Sequence, residues 1–245
     1  MYAFALPMSS EKSLTHFSSA APDRDPAKVQ AMFGRVARRY RLANLVLSGG
    51  WDLWWRRRAA TIVGGWNPCR VLDVATGSGD LARSIERACP TAEVTGADFS
   101  PEMLAEARRL GSQRLVQADA LALPFKAGEF DVVTVAFGLR NMASWPAALA
   151  EMARVIASGG HVLVLDFSVP PPPLRWLYRP YLHHVLPRLA GCLTGESDAY
   201  RYLGDSIEAF PHGAALCELI EGAGFRNAAC QPLTGGVVSI YTAGR

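Results

Sequence analysis

Val71-Leu-Asp-Val-Ala-Thr-Gly-Ser-Gly-Asp80 is the stretch that decides the fold of this chain. Its first half is apolar, as expected of a buried parallel strand, and its glycines predict a tight turn into a helix. Glycine permits positive φ angles and a close approach of backbone and ligand. The first N–H groups of the following helix would face whatever binds there. The stretch therefore predicts a ligand site within an α/β fold.

Two carboxylates beside the turn decide between ligand classes. Gly77, Ser78 and Gly79, with the residues that follow, satisfy the fingerprint of a dinucleotide site. Asp73 and Asp80, however, flank the place where a pyrophosphate would bind, and they would repel it. They would instead attract a ligand that carries an ammonium and a sulfonium. The turn therefore predicts a binding site for S-adenosylmethionine, the methyl donor.

Further acidic residues follow the next two predicted strands. Asp98 ends the second strand, 21 residues after Gly77, where a carboxylate can accept hydrogen bonds from ribose hydroxyls. Asp119 ends the third strand, and we expect it to accept from an adenine amino group. A single acid at a strand end is often only a cap or a turn former. Several around one glycine turn favour a methyl-donor site.

The alternation of strands and helices predicts a Rossmann-like α/β fold, a seven-stranded, mostly parallel sheet with helices on both faces. Its ligands are expected at the carboxyl ends of the strands. The strands are predicted at 70–75, 92–98, 114–118, 131–136, 161–167, 225–231 and 236–242. The helices are predicted at 26–40, 52–63, 80–88, 101–109, 144–157 and 212–222.

The chain is predicted to contain one enzyme domain, 26–245, after a mobile arm, 1–25. Within it, 26–65 forms a helical cap, and an irregular insert, 174–198, follows the fifth strand. The insert is rich in bulky apolar residues and arginines, and no acid precedes Glu196. This composition suits a lid over an apolar substrate or a membrane contact. A helix that completes the core, or a homodimer contact, explains it equally well.

Composition limits the other function classes. The chain has 245 residues, of which 50% are hydrophobic and 19% charged, so wholesale disorder is excluded. The region 24–58 carries nine basic residues against two acids, a balance of +7, which suits an anionic membrane surface, an acidic substrate group or a solvated helix face. No nucleic-acid motif accompanies it. Five scattered cysteines predict neither a metal site nor disulfides, and no window is long enough to span a membrane. A cytoplasmic protein is expected, with contact to the inner face of the membrane left open.

Several motifs together resemble the menaquinone/ubiquinone C-methyltransferases (UbiE type), a branch of the class I S-adenosylmethionine-dependent methyltransferases. The resemblance covers about 28–243. Its motifs are Phe33-Gly-Arg-Val-Ala-Arg-Arg-Tyr-Arg-Leu-Ala-Asn44, Ser48-Gly-Gly50, Trp55-Arg56, Asp119-Ala-Leu-Ala-Leu-Pro-Phe125, Phe130-Asp131, Phe137-Gly-Leu-Arg-Asn141, Leu165-Asp-Phe-Ser168, Tyr200-Arg-Tyr-Leu203, Ser206-Ile207 and Thr234-Gly-Gly-Val237.

The resemblance implies transfer of a methyl group to a ring carbon of a reduced polyprenyl quinone, demethylmenaquinol or a related benzoquinol. It also implies which residues contact the donor. These are Ser78, Asp98, Asp119, Ala120 and Ala136. No metal is expected.

On the acceptor side, the resemblance implies that Arg140 stabilises a developing phenolate and that Asn141 orients the hydroxyl. Asp166 and Tyr40 are further candidates for proton handling or ring positioning. The chain departs from the family pattern near the acceptor, where Asp52 stands in place of a frequent histidine. Two other classes therefore stay open. They are an O- or N-methyltransferase for another apolar small molecule, and a binding module without catalysis.

Overall fold

The computed structural model of the protein describes Ala27, Gln30, Ala31, 45–194 and 197–245. The three isolated residues are helical, in agreement with the predicted helix 26–40. The predicted arm 1–25 and the other residues of 26–40, Tyr40 among them, lie outside the described residues.

A seven-stranded sheet forms the centre of the protein. Its order is β3-β2-β1-β4-β5-β7-β6, with β1 to β5 parallel and β7 antiparallel to both of its neighbours. This confirms the predicted fold class. The strands are β1 (Arg70–Val74), β2 (Glu93–Asp98), β3 (Leu115–Gln117), β4 (Phe130–Ala136), β5 (Ile156–Phe167), β6 (Arg226–Leu233) and β7 (Val238–Gly244).

Helices connect the strands and cover both faces of the sheet. Apolar clusters bury the central strands of the sheet, as expected of parallel strands, whereas the edge strands β3 and β6 stay partly exposed. The helices are α1 (Trp51–Gly65), α2 (Asp80–Ala88), α3 (Pro101–Arg109), α4 (Trp145–Val155), α5 (Leu174–Pro180), α6 (Leu186–Thr194), α7 (Ser197–Ala209) and α8 (Ala214–Gly222), with short helical turns at Leu139–Asn141 and Thr234–Gly236 and a π-helix at Tyr181–Val185. In the described parts of the chain, no helix is long and apolar enough to cross a bilayer.

The fifth strand begins earlier than the sequence pattern predicts. Ile156 already pairs with Phe130, so the helix predicted to reach residue 157 ends at Val155. Gly160 permits this early pairing, because a Cβ there would lie 2.5 Å from the carbonyl oxygen of Asp131. The register between β4 and β5, which sequence periodicity does not reveal, therefore sets this boundary.

The insert after β5 is helical, and the prediction of an irregular segment was wrong. α5, the π-helix and α6 follow one another across 174–194 and pack against α7, most of which lies beyond the predicted insert. A small apolar core holds these helices together. Its buried members are Val169, Tyr178, Leu182, Leu186, Tyr200 and Ile207. The prolines at 170–173 and Pro180 had obscured the helical periodicity of the segment.

Candidate active site

A cavity lies at the carboxyl ends of β1, β2 and β4, where strand order reverses on the two sides of β1. It measures about 1080 Å³ with its mouth included. Six of the eight predicted donor-binding residues line it, namely Gly77, Ser78, Asp98, Asp119, Ala120 and Ala136. We refer to it as the donor cavity.

The turn after β1 is fixed to the end of β2 by one carboxylate. The N–H of Gly77 donates to Asp98 Oδ2 over 2.7 Å, and the N–H of Ser100 donates to Asp98 Oδ1 over 2.9 Å. Burial raises the pKa of Asp98, although these backbone hydrogen bonds oppose the shift. Gly77 has a φ of 57°, and a Cβ there would lie 3.2 Å from the Cε of Met103. Both features favour glycine at this position.

Asp73 and Gly79 do not line the donor cavity, contrary to expectation. The Asp73 carboxylate is 1% exposed and accepts hydrogen bonds from Thr76 and Thr134, each over 2.7 Å. Burial raises its pKa to about 6. Gly79 precedes α2 with a φ of 77°. A Cβ there would lie 2.4 Å from Ser112 Oγ, so this glycine is needed for packing.

Asp80 does not line the donor cavity either. It pairs with Arg83 over 2.5 Å and accepts a hydrogen bond from Ser78 Oγ over 2.8 Å. The sequence argument against a pyrophosphate therefore rested on two carboxylates that serve the turn itself. Asp98 and Asp119 are the acids that line the cavity.

A second cavity, of about 1260 Å³, adjoins the first, and Phe137 and Asn141 line both. It lies between α1, the β4–α4 connection and the helices of the insert. We refer to it as the acceptor cavity. Its lining is mainly apolar and includes Leu47, Trp51, Trp55, Phe167, Tyr178, Tyr181, Leu182, Leu186, Leu203, Ile207 and Val237.

Arg140 lines the acceptor cavity from the short helix after β4. Its guanidinium is buried and pairs with Asp166 over 2.8 Å, and its Nη1 also donates to the carbonyl oxygen of Phe137 over 2.6 Å. Arg140 Nε is buried without a hydrogen-bond partner among the described residues. One donor of a buried cation is thus left for a ligand.

Asp166 lies behind Arg140 and does not line either cavity. It is fully buried, and its Oδ1 accepts from Arg140 and from the N–H of Phe167. Burial raises its pKa, while the charge of Arg140 opposes the shift. Asp166 is expected from the sequence as a candidate for proton handling or ring positioning, and the structure places it one residue away from the acceptor cavity, in contact with Arg140. Its contacts are those of a residue that positions Arg140.

Phe137 separates the two cavities in a strained conformation. Its φ is 58°, unusual for a residue with a bulky side chain. The guanidinium carbon of Arg56 lies 5.1 Å from its ring centre, and Arg140 and Asn141 both donate to its carbonyl oxygen. The wall between the cavities is therefore held from both sides.

Arg56 is a site residue for which sequence reasoning gave no role. It is only 6% exposed, its Nε donates to both carboxylate oxygens of Asp52, and it lines the donor cavity. The helical spacing of Asp52, Trp55, Arg56 and Ala59 places Arg56 on the buried face of α1, unlike Arg57 and Arg58. The burial of Arg56 could therefore have been predicted from this spacing.

No group of three or more metal-ligating side chains is arranged to hold an ion in the described parts of the chain.

Comparison with solved structures gives the class of protein. A SAM-dependent methyltransferase from Thermotoga maritima superimposes with a TM-score of 0.63 at 16% identity, over 88% of this chain and 98% of the other. This likeness concerns the fold. The sheet order, the glycine turn after β1 and the acid at the end of β2 define a class I S-adenosylmethionine-dependent methyltransferase.

Sequence comparison gives the family. A demethylmenaquinone methyltransferase of Thermus thermophilus is 49% identical over 87% of this chain and 100% of its own length. The ubiquinone/menaquinone biosynthesis C-methyltransferase UbiE of Syntrophotalea carbinolica is 45% identical over 86% of this chain and 91% of its own. The model of the ubiE/COQ5 methyltransferase family matches residues 22–245. The chain belongs to that family.

Proposed function

We propose that this enzyme transfers a methyl group to a ring carbon of a reduced polyprenyl quinone, demethylmenaquinol or a related benzoquinol, in quinone biosynthesis. The observation that carries the proposal is a donor cavity that meets a large apolar cavity at Phe137 and Asn141. The names of the relatives at 49% and 45% identity support the quinol as acceptor.

The donor cavity suits S-adenosylmethionine, whose sulfonium supplies an electrophilic methyl group when bound. Asp98 can accept from ribose hydroxyls, because each carboxylate oxygen has capacity for more than one hydrogen bond. Asp119 already accepts from the N–H of Leu121 over 2.9 Å and keeps its second oxygen for an adenine amino group. Ser78, Ala120 and Ala136 complete the floor.

The acceptor ring must become electron-rich at carbon, and loss of a hydroxyl proton achieves this. A phenol has an ordinary pKa near ~10, so the site has to stabilise the phenolate. Arg140 supplies a buried guanidinium for this purpose, oriented by Asp166, and Asn141 can hydrogen-bond the hydroxyl. Tyr40, outside the described residues, is a further candidate for proton handling or ring positioning from the family resemblance alone.

We also propose that the outer face of the insert contacts an anionic membrane surface. Trp176 and Leu177 are 70% and 73% exposed, and Arg175 and Arg179 flank them. Aromatic and apolar side chains beside arginines suit a lipid interface.

Co-sedimentation with vesicles that contain anionic lipid tests this contact. The wild type should pellet with the vesicles, and the double variant Trp176→Glu, Leu177→Glu should stay in the supernatant. Equal sedimentation would refute this contact. Light scattering tests the alternative of a homodimer contact. If the wild type has twice the mass of one chain and the double variant has the mass of one chain, the face belongs to a homodimer.

Product analysis with purified enzyme tests the reaction itself. Demethylmenaquinol, kept reduced without oxygen, is expected to gain a methyl group on a ring carbon in the presence of S-adenosylmethionine. A methyl group found only on oxygen, or only on another phenol or amine, would favour an O- or N-methyltransferase. Donor binding by calorimetry without turnover on any quinol would favour a binding module.

A further inference from the structure

The acceptor cavity contains one carboxylate, that of Asp52. No other Asp or Glu lines this cavity among the residues that the structure describes. Asp52 is 8% exposed, lies in the first turn of α1, and has the apolar Trp51 and Trp55 as neighbours in the lining. An acid in such surroundings needs a partner or a function, because burying a charge is costly.

Arg56 binds both oxygens of the Asp52 carboxylate. The Arg56 Nε donates to Oδ1 over 3.0 Å and to Oδ2 over 3.1 Å. Ser48 accepts from the backbone N–H of Asp52 over 3.2 Å, which fixes the start of the helix. Because each carboxylate oxygen can accept about two hydrogen bonds, the pair leaves Asp52 able to accept from a ligand.

Four other polar side chains at or near this cavity are unsuited to accept a proton. Arg140 is a cation throughout, since guanidinium does not lose its proton in proteins. Burial raises the pKa of both Tyr178 and Tyr181, so these phenols stay protonated. Asp166 is behind Arg140 and outside the lining. Asp52 is therefore the only carboxylate among the described residues that line the acceptor cavity.

We propose that Asp52 is the residue that accepts the ring-hydroxyl proton of the acceptor. The inference rests on the proposed function and identifies the proton acceptor for it. The hydroxyl O–H bond breaks, its electron pair stays on the oxygen, and the proton moves to an oxygen of Asp52. Arg140 stabilises the resulting phenolate. The ring carbon then forms a bond to the methyl group while the bond between that methyl and the donor sulfur breaks, its electron pair stays on sulfur, and S-adenosylhomocysteine leaves. The methylated carbon loses its own hydrogen as a proton to water, and Asp52 returns its proton to the ring oxygen. One proton is released per turnover.

Asp52→Asn tests the inference, because it preserves the size of the side chain and removes its capacity as a base. With short-chain demethylmenaquinol at saturating S-adenosylmethionine, we expect kcat at pH 7 to fall by about 10²- to 10⁴-fold. The calorimetric Kd for S-adenosylmethionine should stay within about twofold. Asp52→Glu should recover part of the activity. Glu93→Gln, an equal charge change at the opposite ends of the strands, is the matched control and should behave as wild type.

The pH dependence separates a base from a structural residue. Above neutral pH the hydroxyl increasingly ionises without help, by about tenfold per pH unit below its pKa. The ratio of wild-type kcat to Asp52→Asn kcat should therefore decrease by up to about 100-fold between pH 7 and pH 9. Because the amide removes the negative charge beside Arg56, the double variant Asp52→Asn, Arg56→Gln is measured as well, and its kcat ratio to wild type should show the same pH dependence.

Three results would overturn the inference. They are a kcat within threefold of wild type, a deficit that is constant with pH, and full loss of folding in the single variant with normal turnover in the double variant. Each of these leaves the proposed function intact, because the wild type still methylates the quinol. A wild type that leaves the quinol unmethylated refutes the proposed function and the inference together.

Discussion

The donor cavity and the acceptor cavity share a wall but are built in different ways. The donor cavity is formed by the ends of neighbouring strands, with the turn at Gly77 fixed to Asp98 by a backbone hydrogen bond of 2.7 Å. The acceptor cavity is formed by α1, the β4–α4 connection and the insert, which are distant in sequence. The first follows from local rules of parallel sheets. The second depends on how three segments pack.

This difference assigns different tasks to the two sides. Short side chains and backbone groups dominate the donor side, so a change there should alter binding of one cosubstrate. Buried charges in an apolar surrounding dominate the acceptor side, where Arg140 and Asp166 form an ion pair that is 3% and 0% exposed. A change there should alter turnover and stability while donor affinity is preserved.

The largest expected effect is that of Arg140→Ala. We expect kcat for quinol methylation to fall by about 10³-fold, because the cation that stabilises the phenolate is lost. The Kd for the donor should stay within about twofold by calorimetry. Unfolding should also become easier by about 3–5 kcal/mol, since Asp166 is left as an unpaired buried charge.

Arg140→Ala combined with Asp166→Asn separates these two consequences. The double variant should regain part of the lost stability in denaturant unfolding and none of the lost turnover. Turnover close to wild type in either variant would refute the role of Arg140.

On the donor side, Asp98→Ala should weaken S-adenosylmethionine binding by about 10- to 100-fold. The change removes the acceptor of the Gly77 and Ser100 N–H groups and a carboxylate for the ribose, and hydrogen bonds to charged groups contribute about 1.5–3 kcal/mol. Calorimetry measures the affinity, and kcat at saturating donor should change little. An unaltered Kd, or a large loss of kcat at saturating donor, would contradict the assignment of donor binding to one cavity and turnover to the other.

How much the sequence could predict follows the same division. α2 and α3 begin and end where their patterns predict, because a glycine turn and a Ser-Pro start mark them. The insert was predicted as irregular, since Pro180 and a π-helix interrupt its periodicity. The sequence could not predict that Asp73 is buried away from the donor cavity. Its carboxylate accepts from Thr76 in the turn and from Thr134 on the neighbouring strand, and the second contact depends on strand pairing.

Gly77→Ala should have a smaller effect than the loss of Asp98. A φ of 57° costs a residue with a Cβ about 1–2 kcal/mol, and Met103 must shift to make room. We expect donor affinity to fall by about tenfold. Gly65→Ala, at the end of α1 with no atom within 4 Å of the added Cβ, is the matched control and should bind the donor normally. Equal affinities for the two variants would show that the turn tolerates a side chain.

The smallest effect on turnover is expected for Asp73→Asn, which should instead change the pH dependence of stability. Burial raises the Asp73 pKa from 3.8 to about 6, so the folded protein binds this proton more tightly than the unfolded chain. The stabilisation is complete below pH 3.8 and is lost as pH rises through 6. The wild type should thus lose about 1–3 kcal/mol relative to Asp73→Asn across this range. Denaturant unfolding at several pH values measures it, and parallel curves would contradict the burial argument.

Isotope transfer from labelled S-adenosylmethionine to demethylmenaquinol tests the account most directly. With a CD₃-labelled donor and purified wild-type enzyme, mass spectrometry and NMR of the product should find one CD₃ group in place of a ring hydrogen. Arg140→Ala should bind the labelled donor and transfer almost none of it. The account would be contradicted if the protein does not bind the donor, if it retains a nicotinamide or flavin dinucleotide, or if the quinol ring stays unlabelled.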